Sequence, residues 1–352
     1  MANKNDEDAQ TSQPSQGLYD RSPRGSTVLK VEHLVKNFSG PTRLSLHTSP
    51  PIQAVSDVSF VAHAGETLGI VGESGCGKTT TARSIVQLIK PTSGRILFRG
   101  HDLGKLDRVA KRRVRQEIQY VFQDPSTAFN PRMTVHDVIA EPLRIHGRYK
   151  QGGADRVAEL LRLVSMEPEH GERYPHEFSG GQRQRIGIVR AIALDAQLLI
   201  LDEPVSALDT SVQAQVINLL KDLQDRLDLA YVFVAHDLSM IRHICDRVAV
   251  MYLGKIVEMG TKTEIFEQPS HPYTQALLSA VPIRDPSLRD SRERILLEGD
   301  IPSPSSPPSG CRFRTRCWKA KDICAEEEPV LLDRSGIGHP SACHFATPSS
   351  ST

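Results

Sequence analysis

The chain has 352 residues, of which 39% are hydrophobic and 24% are charged, and its 43 Lys and Arg residues almost balance its 42 Asp and Glu residues. This length corresponds to about two domains with a sizeable core, which excludes a small scaffold held together by disulfides. The near-zero net charge and the aromatic content of 5% argue against a nucleic-acid-binding protein, because such proteins need a positive field and stacking platforms.

The N-terminal segment, residues 1–26, is rich in polar residues and has neither a basic start nor an apolar run. A segment of this composition buries too little apolar surface to order itself, so we expect a disordered tail. We expect no secretory signal and, because the rest of the chain lacks a run of about 18 apolar residues, no membrane span. The protein should therefore stay in the cytoplasm.

The region 27–265 alternates short apolar runs with amphipathic segments of helical length. The apolar runs predict strands at 28–35, 67–72, 118–122, 198–202 and 231–236. Helical spacing occurs at 78–89, 134–146, 154–165, 181–194, 211–227 and 238–245. Strands that are apolar on both faces are typical of a mostly parallel sheet covered by helices. The block 124–195 holds three helices without a strand, which indicates a helical insert, and 248–259 has the pattern of a hairpin.

A glycine-rich motif follows the strand at 67–72 and opens the next helix. It fits G-x-x-x-x-G-K-[ST] and comprises Gly72, Glu73, Ser74, Gly75, Cys76, Gly77, Lys78 and Thr79, with Thr80 behind it. Such a loop points backbone N–H groups and a helix N-terminus at phosphates. We expect Lys78 to bridge the β- and γ-phosphates of ATP and Thr79 to bind Mg²⁺. An accidental glycine-rich turn is the alternative.

Two carboxylates end the apolar strand at 198–202. Asp202 is placed to hold Mg²⁺, and Glu203 is placed to polarise a water molecule for attack on the γ-phosphate. A solvated strand end is the alternative for an isolated acidic pair, but the phosphate motif upstream favours nucleoside triphosphate hydrolysis.

A second anion-binding helix end lies between these motifs, in Phe178-Ser179-Gly180-Gly181-Gln182. One phosphate loop does not readily use both helix ends, so the second end should serve another nucleotide. With this motif the chain resembles the ATPases of ABC transporters, whose LSGGQ signature it carries as FSGGQ. In that family two nucleotide-binding domains pack head to tail, and each ATP lies between one subunit's phosphate loop and the other's signature.

The resemblance implies an α/β fold, a P-loop NTPase of the ABC ATPase type with an antiparallel β subdomain, a helical subdomain at about 124–195 and a small C-terminal extension. It implies that Gln123 senses Mg²⁺, that Asp209 belongs to the D-loop and that His236 is the switch histidine. Phe38 occupies the position that stacks on adenine. A core aromatic residue ending its strand is the alternative for Phe38.

The tail, residues 266–352, narrows the resemblance. The segment 271–277, a Pro- and Ser-rich linker at 301–310 and the pattern Gly310-Cys-x-Phe-x-x-Arg-Cys317 resemble the oligopeptide/dipeptide permease ATPases, in particular the second ATPase of each pair. The implied partners are a sister ATPase in a heterodimer, two transmembrane permease subunits and, indirectly, an extracytoplasmic binding protein, with no nucleic acid. The implied role is to couple ATP hydrolysis to the uptake of di- and oligopeptides, with the subunit bound at the cytoplasmic face of the membrane. Import of nickel or another small solute, a soluble ABC ATPase and a non-hydrolysing regulator are the alternatives.

The tail also gathers four cysteines, Cys311, Cys317, Cys324 and Cys343. Clustered thiols in a reducing compartment indicate a metal more often than disulfides. Their spacings are too wide for the usual zinc knuckle, although zinc and free thiols stay open. The family resemblance favours a [4Fe–4S] cluster on these four thiolates.

Overall fold

The computed structural model describes residues 21–39, 50–281, 294–334, 336 and 338–347. Residues 1–20 of the predicted tail lie outside this description. The last residues of that tail are described and are tethered to the body of the protein, since the Gly25 amide donates to the Ala64 carbonyl at 2.9 Å.

A six-stranded sheet forms the centre of the molecule. Its strands are β3 (Thr67–Val71), β6 (Ile118–Val121), β7 (Leu198–Asp202), β8 (Ala230–Ala235), β9 (Arg247–Tyr252) and β10 (Lys255–Thr261). They lie in the order β10-β9-β3-β8-β7-β6, and every pair is parallel except the β9–β10 hairpin. The predictions of a mostly parallel sheet and a closing hairpin are confirmed.

Alternation along the central strands separates two hydrophobic cores. Along β8, Tyr231 and Phe233 pack into one core, whereas Val232 and Val234 pack into the other. Successive side chains of a strand point to opposite faces, so a strand that is buried throughout must be covered on both sides. This explains why the strand reads as a continuous apolar run in the sequence.

An antiparallel sheet covers one face of the central sheet. It is formed by β1 (Thr27–Phe38), β2 (Ile52–His63), β4 (Ser93–Phe98) and β5 (His101–Asp102), in the order β2-β1-β4-β5. Two helices, α1 (Lys78–Ile85) and α2 (Arg108–Glu117), occur in this part of the chain. Residues of this sheet share a core with one face of β3, β7 and β8.

Helices cover the other face. They are α3 (Val135–Ile145), α4 (Gly153–Leu163), α5 (Gly180–Ile192), α6 (Thr210–Leu227) and α7 (Leu238–Ile244). A 3₁₀ turn at Pro125–Ala128 precedes α3, and two more, at Pro168–Glu172 and Pro175–Glu177, lie between α4 and α5; no strand occurs between α3 and α5, where every residue is described. Thr134 caps α3, because its side chain accepts a hydrogen bond from the Asp137 amide. All six predicted helices are present, within a few residues of their predicted ends.

The described residues of the C-terminal extension, within 266–347, fold back on β10. The extension follows α8 (Lys262–Glu267) and contains α9 (Pro272–Ser279) and α10 (Ile323–Glu326). Its last described segment lies along β10, where the Ala342 amide donates to the Val257 carbonyl at 2.7 Å and the Met259 amide donates to the Pro340 carbonyl at 3.0 Å. The extension is thus attached to the edge strand of the central sheet.

Candidate nucleotide-binding site

The phosphate-binding loop joins the buried strand β3 to helix α1. Lys78 is 4% exposed, and its Nζ donates to the Gly72 carbonyl at 2.8 Å and the Glu73 carbonyl at 3.0 Å. Gly77 is the N-cap residue of α1, with φ of 108°, and no side chain there accepts a hydrogen bond from the first N–H groups of the helix. The first amides of α1 are therefore available to an anion. The buried ammonium group beside them is bonded to two loop carbonyls and lies 3.9 Å from Cys76 Sγ.

Asp202 and Thr79, two of the three predicted magnesium ligands, lie side by side. Asp202 ends β7 and is buried, and the Thr79 hydroxyl donates to its Oδ1 at 3.0 Å. Tyr120, in β6, donates its hydroxyl to the other oxygen. Burial and the nearby Asp202 carboxylate raise the pKa of Tyr120, so the phenol stays a donor. A hydroxyl and a carboxylate oxygen side by side are ligands that Mg²⁺ prefers.

Glu203 lies next to two other predicted residues, Gln123 and His236, and the three follow the ends of different strands. Glu203 Oε2 lies 3.3 Å from Gln123 Nε2 and 3.3 Å from His236 Nδ1. Gln123 Nε2 also lies 3.2 Å from the Ser206 hydroxyl. Glu203 has φ of 48°, a left-handed conformation that a non-glycine residue adopts only where the surroundings enforce it. The arrangement holds one carboxylate at the edge of the site, oriented by an amide and an imidazole.

The signature motif caps helix α5. The Ser179 hydroxyl accepts from the Gln182 amide at 3.4 Å, and Gln182 Oε1 accepts from the Ser179 amide at 3.0 Å. Ser179 and Gly180 are exposed. A Cβ on Gly181 would lie 2.3 Å from Val212 Cγ1 on α6, so packing against α6 requires glycine there. Asp209 caps α6 through the Val212 amide at 3.0 Å.

The signature and the phosphate loop of this chain stay separate. Among the described residues, no hydrogen bond or ion pair joins the segment 179–182 to the loop 72–80. The exposed helix end therefore has no partner within its own site.

Phe38 ends β1 and is 36% exposed, with Lys36 Nζ 4.9 Å from its ring centroid. It is not a core residue, so a flat aromatic face is available at the surface. Residues 40–49, which follow it, lie outside the described part of the chain.

The four cysteines of the extension line one small cavity of about 10 Å³, and all are free thiols. Burial, followed by the neighbouring thiols, raises the pKa of Cys311 to about 11. Within the described residues, no group of three or more His, Cys, Asp or Glu side chains is arranged to hold a metal ion. The structure brings the predicted ligands together, but it does not support the predicted iron–sulfur cluster.

Two contacts from the extension to the phosphate loop were not predicted. Arg316 forms a two-point ion pair with Glu73, with Nη1–Oε2 at 2.8 Å and Nη2–Oε1 at 3.2 Å. The Tyr273 hydroxyl accepts from the Glu73 amide at 2.9 Å. Arg316 lies within the quoted Gly-Cys-x-Phe-x-x-Arg-Cys pattern, which marked it as notable without indicating its partner, 243 residues away.

No helix in the described part of the chain is both long and apolar enough to cross a bilayer.

Comparison with known proteins gives two family matches. Residues 55–206 match the ABC transporter family, and residues 257–324 match the family described as the oligopeptide/dipeptide transporter C-terminal region. The first match includes the phosphate loop, and the second includes three of the four clustered cysteines, Cys311, Cys317 and Cys324.

Individual relatives match over nearly the whole chain. The oligopeptide transport ATP-binding protein AppF of Bacillus subtilis is 51% identical over 321 residues, which cover 91% of this chain and 97% of the relative. The oligopeptide transport ATP-binding protein OppF of Salmonella typhimurium is 54% identical over 320 residues, covering 90% and 95%.

Solved structures are similar over the cassette. CbiO1 of Clostridium perfringens, part of the ABC transporter complex CbiONQ, has a TM-score of 0.57 and 27% identity, covering 68% of this chain and 90% of that one. The ATP-binding cassette MJ0796, dimeric in a post-hydrolysis state with ADP and Pi, also has a TM-score of 0.57, with 26% identity and coverage of 66% and 98%.

Proposed function

Because this chain belongs to the family of ABC transporter ATP-binding proteins that carry the oligopeptide/dipeptide transporter C-terminal region, we propose that it is the ATPase subunit of an importer for di- or oligopeptides. As an ABC ATPase it hydrolyses ATP, for which Mg²⁺ is the expected metal. We assign residues 27–265 to the nucleotide-binding cassette and 266–352 to the extension. The names of the curated relatives support peptides as the cargo.

The observation that carries the catalytic assignment is the position of Glu203 between Gln123 and His236, next to the Asp202–Thr79 pair. Glu203 would accept a proton from the attacking water, and the imidazole and amide would keep its carboxylate aimed at that water. Thr79, Asp202 and Gln123 would hold Mg²⁺, which supplies neutralisation of the phosphoryl charge. Lys78 would exchange its two loop carbonyls for phosphate oxygens.

The exposed signature supports a second ATPase subunit as partner. Ser179, Gly180, Gly181 and Gln182 would complete the nucleotide site of that subunit, and the phosphate loop would receive the partner's signature. We propose a heterodimer with a sister ATPase, peripheral on the cytoplasmic face and bound to two transmembrane permease subunits. An extracytoplasmic binding protein would deliver the peptide to those subunits.

Replacement of Glu203 tests the catalytic assignment. In Glu203→Gln the side chain keeps its shape but cannot accept the proton, so steady-state hydrolysis should fall at least about a hundredfold while ATP stays bound. Ser239→Ala, whose residue lies outside this cluster, is the control. Retained hydrolysis in Glu203→Gln would place the base elsewhere.

Two measurements test the transport role. The tagged full chain, purified from detergent-solubilised membranes, should bring a homologous ATPase and two polytopic proteins with it. A strain lacking the chain should lose uptake of a labelled tripeptide and keep uptake of Ni²⁺. Loss of Ni²⁺ uptake alone would assign the same subunit to a nickel importer, and absence of any membrane partner would contradict transport.

We propose further that Cys311, Cys317, Cys324 and Cys343 are the ligands of a [4Fe–4S] cluster. The proposal rests on the resemblance of the cysteine pattern to the family and on the suitability of four thiolates as ligands. The four thiols line one cavity, but in the described part of the chain they do not form a metal site, so they would have to move closer together to bind the cluster. Protein purified anaerobically should be brown, absorb near about 400 nm and contain about four iron atoms per chain. Cys324→Ser should reduce the iron content. Colourless, iron-free protein would leave zinc or free thiols.

A further inference from the structure

The phosphate-binding loop carries a carboxylate, and the extension neutralises it. Glu73 follows the first glycine of the loop, where a negative charge would repel a bound triphosphate. Its side chain is 24% exposed, whereas the side chain of its partner, Arg316, is only 9% exposed. A two-point contact of this kind fixes orientation as well as charge, because the planar guanidinium group matches a carboxylate.

The position of Arg316 is set by a packed aromatic cluster. Phe313, three residues before it, is 1% exposed, and its ring centroid lies 5.2 Å from Tyr252 and 5.4 Å from Tyr273. The Tyr273 hydroxyl in turn accepts a hydrogen bond from the Glu73 amide. The extension thus holds both the side chain and the main chain of Glu73 from one buried cluster.

A second arginine attaches the extension beside the same site. Arg312 Nη1 donates to the Leu253 carbonyl at 2.6 Å, and Nη2 donates to Gln53 Oε1 at 2.8 Å. Leu253 lies in the turn between β9 and β10, whose Gly254 amide donates to the carbonyl of Cys76 in the phosphate loop at 2.8 Å. Two arginines of the extension therefore reach the loop, Arg316 directly and Arg312 through the adjacent turn.

We propose that Arg316 is a positioning residue for ATP binding, which neutralises Glu73 and draws its carboxylate away from the phosphates, so that the nucleotide affinity of the cassette depends on the extension. The role extends beyond the proposed transport function, which assigns no part in nucleotide binding to the extension. It depends only on the phosphate loop and holds for any cargo.

The test is a set of charge variants of the full chain, titrated with Mg-ATP. Arg316→Gln leaves Glu73 unpaired and should raise the Kd for ATP on the order of tenfold, because a like charge then faces the phosphates. Glu73→Gln removes the repulsion, so its Kd should equal or fall below that of the wild type. The double variant should return to within about threefold of the wild type, since neither charge remains.

The matched control is Arg314→Gln, which removes the same charge from the same turn. The Arg314 side chain donates to Ser309 O at 2.9 Å and Ser309 Oγ at 3.3 Å and forms no ion pair with the phosphate loop among the described residues, so its replacement should leave the Kd for ATP within about twofold of the wild type. An equal loss in Arg314→Gln would assign the effect to the total charge of the extension and overturn the proposal.

Rescue separates this role from a merely structural one. If Arg316 only stabilised the extension, Glu73→Gln would not restore ATP binding to Arg316→Gln, and that result would overturn the proposal. Arg316→Lys covers the case in which Arg316→Gln does not fold. The ammonium group keeps the charge but loses the two-point contact, so its Kd should lie between those of the wild type and Arg316→Gln. A Kd as high as that of Arg316→Gln, with an unchanged Tm, would contradict neutralisation.

Discussion

The cassette holds the phosphate-binding loop through the backbone of a parallel sheet, whereas the extension holds it through side chains. On the cassette side, β3 lies between β8 and β9 and delivers the loop to the edge where the other strands also end. On the extension side, an ion pair and a tyrosine hydroxyl make the contact. The loop is therefore bounded on one side by a rigid cassette wall, formed by β3, β9 and the first turn of α1. On the other side it is bounded by an extension wall, formed by Tyr273 and Arg316, whose attachment single substitutions can change.

The two walls also differ in their electrostatics. The cassette wall presents Lys78 and the first turn of α1, and both attract an anion. The extension wall acts indirectly, because its cation is occupied by a carboxylate of the loop itself. Substitutions in the cassette wall should therefore abolish ATP binding, whereas substitutions in the extension wall should only reduce the affinity for ATP.

The largest effect is expected at Gly72, on the cassette wall. A Cβ there would lie 2.0 Å from the Met251 carbonyl oxygen and 2.9 Å from Cys76 Sγ, and the strand backbone cannot move away. Gly72→Ala should abolish ATP binding and lower the free energy of unfolding by about 3 kcal/mol or more. Isothermal titration with ATP and thermal unfolding measure both effects.

Gly75→Ala is the matched comparison. Among the described residues, no atom lies within 4 Å of the position that an added Cβ would take, but φ is +79°. Backbone strain should therefore lower the free energy of unfolding by about 1 kcal/mol. If Gly72→Ala were as mild as Gly75→Ala, the cassette wall would be less rigid than its backbone contacts indicate.

A smaller effect is expected at Glu258, which attaches the extension to β10. Its carboxylate is fully buried, accepts from the Ser270 amide at 2.6 Å and the His271 amide at 3.1 Å, and lies 2.8 Å from His339 Nε2. Glu258→Ala leaves these donors unpaired, so the free energy of unfolding of the extension should fall by about 3 kcal/mol. Limited proteolysis should then cut the extension first.

Glu258→Ala also tests whether attachment of the extension affects ATP binding. A detached extension removes Arg316 from Glu73, so the Kd for ATP should rise as it does in Arg316→Gln. Glu328→Ala is the control, since Glu328 pairs with Lys255 and its side chain is 50% exposed; its effect on stability should be below about 0.5 kcal/mol. Easier proteolysis of Glu258→Ala with unchanged ATP affinity would show that the extension wall does not reach the nucleotide.

The sequence predicts one wall far better than the other, for a physical reason. Asp202 and Glu203 are predicted because they close an apolar strand downstream of a phosphate motif, whereas the role of His236 is implied by the family resemblance; all three lie near one edge because the carboxyl ends of parallel strands meet there. The pairing of Arg316 with Glu73 depends on how the extension packs against β9 and β10, and no local pattern encodes that. Tyr120 was missed because an apolar strand gives no sign that one of its residues donates a hydrogen bond.

The antiparallel sheet shows the same limit. β1 was predicted from its apolar run, but β2 and β4 were not delimited, since their residues alternate between buried and half-exposed positions and have weaker patterns. The sequence predicts a site for ATP and a cluster of four thiols, but it does not indicate that the turn between Cys311 and Cys317 contacts the phosphate loop through Arg316.

The smallest expected effect is a pH dependence of the extension wall. His271 caps α9, and its Nδ1 accepts from the Tyr273 amide at 3.0 Å, which requires an unprotonated Nδ1. Burial lowers the pKa of His271 to about 4, although the Glu258 carboxylate opposes the shift. Because the unfolded state then binds a proton at higher pH than the folded state, the stabilisation is complete above about pH 6.5 and is lost as the pH falls towards 4.

His271→Asn isolates this contribution, because Asn caps a helix and does not titrate. The wild type should lose about 2 kcal/mol more than His271→Asn between pH 6.5 and 4.5, measured by urea unfolding at each pH. Groups that do not face His271 contribute equally in both proteins and cancel in the difference. Parallel pH profiles would mean that His271 protonates without loss of the Tyr273 cap, and the aromatic cluster that positions Arg316 would then be insensitive to acid.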